Sequence, residues 1–435
     1  MKKPVGITTA RGRERALLVG VVDHHRSSGN VREELEELAL LASTAGADVI
    51  GEVHQAADRI NPAYFVGTGK ADQIAEEVEE KNIDVVIFDH DLSSVQVRNL
   101  EERINCKILD RSALIFDIFA SHARSKESKT QVELAQLQYL LPRLTRQWTH
   151  LSKQYGGIGT KGPGEQQLET DRRVIRTRIR HLKDQLERIS RQKQTQRKGR
   201  DQFTRVALVG YTNAGKSTLM NALANTNVFV ENRLFATLDT TVRLVDLSTS
   251  QRILLSDTVG FIRKLPHHLI ASFKTTLEEV IESDILLHVV DTSQTAFPDQ
   301  IRVVNETLVE LHADQKPTVM VFNKIDLIED RSVFASIRNN YNRAVFVSGT
   351  RGINIEGIRR EIESVLDAEY VVQTIAIPIG EQDLLASLHD SFNILDKRYE
   401  NEVMIIRFRA RKKDLGKIGG ALKQKLAEKA TQVDR

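Results

Sequence analysis

The chain has 435 residues, 40% apolar and 28% charged, which is length for roughly three or four domains with packed cores and excludes wholesale disorder. Cys106 is the only cysteine, which excludes an intramolecular disulfide and a four-thiolate metal site and fits a reducing cytoplasm. The net charge of +3 hides two basic segments, +9 over Asp171–Arg200 and +7 over Val403–Arg435, against −13 for the remainder; polyanion contacts and plainly solvated helix faces both fit that pattern.

From the N-terminus, MKKPVGITTARGRERALLVGVVD carries an apolar stretch, Ala16–Val22, that is too short for a signal peptide and is interrupted by Asp23. No run of about 18 apolar residues occurs anywhere, so no membrane span is expected, while peripheral contact with a membrane stays open. Residues 1–122 alternate β-rich runs (Ala16–Val22, Val49–Val53, Tyr64–Val66, Val85–Phe88, Lys107–Leu109) with helical patterns (Val31–Ala45, Lys70–Lys81, Ser93–Arg103, Ser112–Ser121), which predicts a βα-repeat domain with a parallel sheet. Gly67-Thr68-Gly69-Lys70 opens one of these helices. It reads as a βα turn, because its spacing does not match a phosphate-binding loop, and ATP use by this domain is the rival reading. The pair His24/His25 has no further ligands at useful spacing.

Residues 123–200 change period. Leu134, Leu137, Leu141, Leu144, Trp148 and Leu151, then Ile175, Ile179, Leu182, Leu186 and Ile189, follow the three–four spacing of coiled-coil seams. Pro142 lies inside the first and predicts a kink. The glycine-rich stretch Gly156–Gly164 between them cannot be regular helix. The expectation is an antiparallel helical arm, each limb about 35 Å long, with a glycine-rich tip. Arg197-Lys198-Gly199-Arg200 then reads as a hinge.

Residues 201–369 carry the chemistry. The strand Val206–Val209 runs into Gly210-Tyr211-Thr212-Asn213-Ala214-Gly215-Lys216-Ser217 and a helix, the pattern G-x-x-x-x-G-K-S in its strand–loop–helix setting. Its backbone N–H groups and helix dipole suit phosphates, Lys216 would reach the β- and γ-phosphates, and Ser217 would hold Mg²⁺. Asp257-Thr258-Val259-Gly260 ends a second strand; Asp257 suits water-mediated Mg²⁺ binding and Gly260 N–H the γ-phosphate. Asn323-Lys324-Ile325-Asp326 ends a third. The Asp326 carboxylate can accept both hydrogen bonds of the guanine N1/N2 edge, which adenine lacks. Lys324 can cover the base, Asn323 can brace the loops, and Ser348-Gly349-Thr350 can offer N–H groups to guanine O6. Between the first two motifs a threonine must contact Mg²⁺ in the triphosphate state. Phe235-Ala236-Thr237-Leu238-Asp239 is the candidate segment, and spacing alone leaves Thr240 and Thr241 as rivals to Thr237. Phe261 follows Gly260 where many GTPases carry a water-orienting Gln, so intrinsic hydrolysis is expected to be slow or partner-assisted. The pair His267/His268 is assigned to the second switch helix. Residues 370–435 read strand, helix (Gln382–Ser391), strand, strand, helix (Lys412–Lys429), a small basic α+β domain.

With these residues in view, the chain resembles the HflX family of GTPases. The specific likeness is Gly156-Gly157-Ile158-Gly159-Thr160-Lys161-Gly162-Pro163-Gly164-Glu165-Gln166-Gln167-Leu168-Glu169-Thr170-Asp171-Arg172-Arg173, ahead of the second arm helix. Lys161 and Gln166 depart from the residues more usual there, and Gly349 replaces a more usual Ala while leaving the backbone donor intact. The resemblance implies Thr237 as the switch threonine, matches Phe261, and implies an α/β P-loop GTPase domain bound to GTP or GDP with Mg²⁺. It further implies binding to the large ribosomal subunit and its RNA, with the arm tip entering the peptidyl-transferase region, and separation or rescue of stalled or idle ribosomes under stress. A cytoplasmic monomer is expected. Two rivals remain: a guanine-nucleotide-dependent adaptor with little intrinsic hydrolysis, and an RNA-remodelling NTPase using ATP in its N-terminal domain.

Overall fold

The computed structural model describes residues 13–22, 28–56, 60–145, 163–197, 203–226, 233–247, 251–266, 269, 273–341, 343–378, 393–400 and 403–411. It divides into two compact units, 1–355 and 356–435.

The first unit opens with β1 (Arg15–Val22), α1 (Ser28–Thr44), β2 (Asp48–Ala56), α2 (Thr68–Lys81), β3 (Val85–Phe88), α3 (Ser94–Ile104), β4 (Lys107–Asp110) and α4 (Arg111–His122). The four strands form a parallel sheet in the order β2-β1-β3-β4. Their continuous apolar runs suit burial on both faces, because successive side chains point to opposite sides. Leu17, Val19, Val86 and Phe88 pack under α2 and α3 with Ile74, Val78 and Leu100. Ala16, Leu18, Val85 and Ile87 pack under α1 and α4 with Leu38, Leu41, Ile115 and Phe119. Tyr64–Val66, expected as a strand, is not one. Phe65 has φ +67° and makes only an isolated bridge with Asn61, a tight turn leading into α2. Gly67 N–H donates to Gln55 Oε1 at 3.0 Å and Lys70 Nζ to Gln73 at 2.9 Å, so that segment is a βα turn held by its own neighbours.

Helix α5 (Lys126–Leu140) and α6 (Pro163–Arg197) run antiparallel, as the ion pairs Glu127–Lys193 and Glu133–Arg178 require. Leu134 and Leu182 on the two seams are buried. Pro142 does not kink α5; the helix ends at Leu140, and Arg143–Thr145 form a 3₁₀ turn. Proline lacks the N–H that a continuing helix would bond. Arg143 lies 3.4 Å over the Tyr139 ring and bonds the Leu92 carbonyl and Asp110, which ties this end to the sheet domain. Among the described residues α5 has 15 residues and α6 has 35. Of the expected tip, Pro163 and Gly164 already form the first turn of α6, where proline is tolerated, and Arg197 of the expected hinge still ends that helix; the rest of both, together with Trp148, Leu151, His24/His25 and His267/His268, lies outside the described residues.

Next come β5 (Thr204–Gly210), α7 (Lys216–Leu223), β6 (Thr241–Asp246), β7 (Arg252–Asp257), α8 (Lys274–Glu282), β8 (Ile285–Asp291), α9 (Phe297–Glu310), β9 (Thr318–Asn323), α10 (Ser332–Asn340) and β10 (Ala344–Phe346). The sheet order is β10-β9-β8-β5-β7-β6, with only β6 antiparallel to its neighbour. The chain builds outward from β5 in both directions, so the crevice beyond the C-terminal ends of the parallel strands is the natural ligand site.

The second unit holds α11 (Ile355–Glu369) and the antiparallel strands β11 (Tyr370–Pro378), β12 (Asn393–Glu400) and β13 (Val403–Arg411), in the order β11-β13-β12. The division falls after Ile355, the first residue of α11, so the rest of that helix groups with the C-terminal strands. Ile377, Met404, Ile406 and Phe408 form the buried side. The helical patterns Gln382–Ser391 and Lys412–Lys429 lie outside the described residues.

Candidate nucleotide site

A cleft of about 460 Å³ lies at the C-terminal ends of β5, β7 and β9. The loop from β5 to α7 forms its floor. Gly210 and Gly215 are required there by their backbone, with φ +152° and +92°. A Cβ at Gly210 would meet the Val289 carbonyl at 2.2 Å, and one at Gly215 the Asn323 Nδ2 at 2.3 Å. Lys216 is buried and donates to the Gly210 and Tyr211 carbonyls at 3.1 and 2.8 Å, which aims its ammonium back over the loop. Burial pulls its pKa down to about 8, against the opposing pull of Asp257.

Three residues from separate segments converge beside it. Ser217 Oγ donates to Asp257 Oδ2 at 2.6 Å and lies 2.7 Å from Thr237 Oγ1. Asp257 is buried, which raises its pKa despite the Ser217 bond, and its Oδ1 has no partner among the described residues. An oxygen-only cluster with a buried, unsatisfied carboxylate oxygen suits a hard cation such as Mg²⁺, with Ser217 and Thr237 as ligands and Asp257 acting through water. Of the two rival threonines, Thr241 is already in β6.

The cleft lining includes Thr212, Asn213, Gly215, Lys216, Ser217, Phe235, Ala236, Thr237, Thr258, Gly260, Asn323, Lys324 and Thr350. At the base end, Asn323 Nδ2 donates to the Ala214 carbonyl at 2.9 Å and its Oδ1 accepts from Gly349 N–H at 3.0 Å, so Asn323 braces the two loops. That bond commits the Gly349 donor that the sequence assigned to guanine O6. Lys324 has φ +64° and its Nζ pairs with Asp291 at 2.6 Å, fixing the stem. Asp326 is close to Arg351, at 3.3 Å. Ile325 begins a short 3₁₀ turn, and Ser348 is buried and accepts from the Arg351 N–H.

Several residues assigned to the nucleotide face elsewhere. Leu238 and Val259 are core. Tyr211 turns its hydroxyl to Glu37 of α1 and accepts from Arg263 N–H at 2.9 Å. Asp239 points away from the cleft, to the start of α5, where it accepts from the N–H groups of Arg124 and Ser125, both at 3.1 Å, and from the hydroxyls of Ser125 and Ser128. Burial opposes its ionisation, but these donors prevail and hold the carboxyl below its ordinary pKa. Thr218, Arg233 and Leu327 line the cleft although no motif contains them. Behind the loop, His288 of β8 is fully buried, and burial with the nearby Lys216 charge lowers its pKa to about 3, so it is neutral.

Three family models match successive segments of the chain. A family model described as GTP-binding GTPase N-terminal matches residues 32–120, GTP-binding GTPase Middle Region matches 122–200, and 50S ribosome-binding GTPase matches 205–324. The GTPase HflX of Flavobacterium psychrophilum is 48% identical over 370 residues, covering 80% of this chain and 89% of that protein. That of Magnetococcus marinus is 40% identical, covering 97% and 98%. The chain belongs to the GTPase HflX family. As an HflX GTPase it binds guanine nucleotide and hydrolyses GTP, and the cleft above is the one that combines the lysine loop with the N-K-x-D segment. The HflX of Escherichia coli is 43% identical, covering 85% and 87%. Among solved structures, a GTP-binding protein from Sulfolobus solfataricus in complex with GDP aligns with TM-score 0.44 and 23% identity over 82% of this chain and 99% of that one.

Asp326 is the residue to which the sequence assigns base choice in this HflX chain. Asp326→Asn is expected to weaken GTP binding by about a hundredfold or more and to improve xanthosine-nucleotide binding, since an amide suits a base carbonyl and not the N1/N2 donor pair. Titration with fluorescent GDP and XDP reads this directly; wild type binding ATP as tightly as GTP contradicts the assignment.

Proposed function

We propose that this HflX GTPase acts on the large ribosomal subunit and its RNA, and that the state of its first switch segment sets the position of the helical arm. The observation that carries this reading is Asp239. It lies two residues after Thr237 and holds the first turn of α5, one limb of the arm. The matching family description, 50S ribosome-binding GTPase, supports the choice of partner. Arg173, Arg176 and Arg180 on α6 are exposed, which suits phosphate contacts.

In this reading Lys216 and the loop N–H groups hold the phosphates, Asp326 and Lys324 hold the guanine, and Ser217 and Thr237 hold Mg²⁺. The metal, when bound, neutralises developing charge on the phosphates. Thr237 can reach the cation only in one arrangement of its segment. Phe235 and Leu238 on either side are packed in the core, with Phe235 edge-on to Phe119 at 4.6 Å, so that arrangement is transmitted to the sheet domain and the arm. Separation of stalled or idle ribosomes is the work such a movement would perform, by a cytoplasmic monomer. Phe261 keeps the adaptor reading in play: it is buried, and its N–H and carbonyl bond Gly210 and Thr212, so its side chain orients no water.

Co-sedimentation with large subunits is expected in a non-hydrolysable GTP analogue and not in GDP. Asp239→Ala should leave ribosome-free hydrolysis unchanged within about twofold. Its ribosome-stimulated hydrolysis should fall by about tenfold, the loss expected when about 1–2 kcal/mol of hydrogen bonding no longer links switch to arm. Full stimulation of Asp239→Ala by ribosomes would remove the coupling, and co-sedimentation indifferent to nucleotide would remove the ribosome reading.

A further inference from the structure

Thr212 is one of four residues of the phosphate-binding loop that the G-x-x-x-x-G-K-S pattern leaves unspecified. It lines the cleft yet is only 6% exposed, and its hydroxyl has no hydrogen-bond partner among the described residues. Three other hydroxyls of the cleft are committed. Thr258 donates to the Leu208 carbonyl at 2.6 Å, while Ser217 and Thr237 pair with each other and with Asp257. A buried hydroxyl without a partner costs roughly 1–3 kcal/mol, so such a group in a ligand cleft is one that the ligand satisfies.

Its position says which part of the ligand. Thr212 N–H donates to the Phe261 carbonyl at 2.8 Å, tying the loop to the second switch. Gly260 stands directly against it. A Cβ at Gly260 would lie 2.7 Å from Thr212 Cα, 3.0 Å from its Cγ2 and 2.9 Å from Lys216 Nζ. Thr212 therefore sits where Lys216 and Gly260 meet, which is the γ-phosphate end if the cleft holds GTP as read above. The same switch lacks a polar side chain after Gly260, because Phe261 is buried in the core.

We propose that the Thr212 hydroxyl orients the attacking water in GTP hydrolysis, the task that Phe261 cannot perform. This rests on the assignment of the cleft as the GTP site. A hydroxyl can accept one hydrogen bond from the water and donate one to a γ-phosphate oxygen. The water oxygen bonds to the γ-phosphorus, and the bond from phosphorus to the β–γ bridging oxygen breaks, its electron pair leaving with GDP. The water's proton passes to a γ-phosphate oxygen, giving inorganic phosphate. Thr212 gains and loses no proton overall; it fixes the direction of attack.

The test uses the full chain with Thr212→Val, which keeps the shape and removes the hydroxyl, and Thr212→Ser, which restores it. Single-turnover hydrolysis without ribosomes is expected to fall roughly a hundredfold in Thr212→Val, the usual effect of deleting one transition-state hydrogen bond, and by no more than about threefold in Thr212→Ser. Affinity for fluorescent GDP should stay within about twofold of wild type, since GDP lacks the γ-phosphate oxygen and the attacking water that the hydroxyl contacts. Capture of GDP with aluminium fluoride should be lost in the valine variant alone. Wild-type hydrolysis by Thr212→Val overturns the proposal, as does a GDP affinity that falls in step with the rate, which would mark a ground-state or packing role. Failure of the wild type itself to prefer GTP over ATP would instead remove the assignment of the cleft, and the proposal with it.

Discussion

Ser217→Ala will lose GTP turnover by roughly a thousandfold while the fold stays intact. Ser217 Oγ is the meeting point of three chain segments, bonded to Asp257 at 2.6 Å and 2.7 Å from Thr237. Without it the two remaining oxygens lose their common partner, and the cation proposed to sit among them would lose a ligand. A metal that neutralises transition-state charge is worth several kcal/mol, and about 4 kcal/mol is about a thousandfold in rate. Ser217 is part-buried and the change removes a single atom, so thermal unfolding should shift little. Metal removal supplies the control. Chelation of Mg²⁺ should weaken GTP binding to wild type and leave the already weakened variant almost unchanged. Equal sensitivity of the two proteins to chelation would show that the cation is held elsewhere.

Arg111→Leu should destabilise the chain by about 3–5 kcal/mol, read from the urea midpoint, because it strips a partner from buried carboxylates. Arg111, at the start of α4, is only 2% exposed. Its guanidinium bonds Asp89 and Glu37 and donates to the Arg263 carbonyl at 3.1 Å. Burial would raise the Asp89 pKa, but the charges of Arg111 and Lys264 outweigh it and hold the carboxyl below the usual range. A depressed carboxylate pKa contributes stability above the unfolded value that is lost as pH falls through the folded one. The gap between wild type and Arg111→Leu should therefore be full at neutral pH and should close as the pH drops below about 4. Glu37 also accepts from the Tyr211 hydroxyl, so the variant should loosen the phosphate-binding loop as well. A midpoint shift worth less than about 1 kcal/mol would mean that water replaces the guanidinium.

Legibility tracked the range of the interactions. Strands β1, β3 and β5 are legible as apolar runs because a strand buried on both faces needs no alternation. The Tyr64–Val66 run misled for a local reason: Phe65 adopts a left-handed backbone that its side chain does not advertise. Pro142 was legible as an interruption, but whether it bends or ends a helix depends on whether packing continues beyond it. Gly349 retained its donor in sequence terms, and only the side chain of Asn323, 26 residues earlier, decides where that donor points.

That the chain is a GTPase was legible in the sequence alone, from G-x-x-x-x-G-K-S and N-K-x-D in their strand-and-loop settings. The phosphate-binding loop is a short segment whose backbone shape follows from glycine at Gly210 and Gly215. The coupling around that chemistry belongs to tertiary structure. Asp239 reads as a switch residue beside the nucleotide, yet it caps a helix that begins more than a hundred residues earlier, and Tyr211 of the lysine loop bonds Glu37 of α1. Leu238, Phe235 and Phe261 share one continuous core with α1 and α4. No periodicity or motif encodes such pairings, because hydrophobic burial is non-directional and a carboxylate accepts any donor the fold brings within reach.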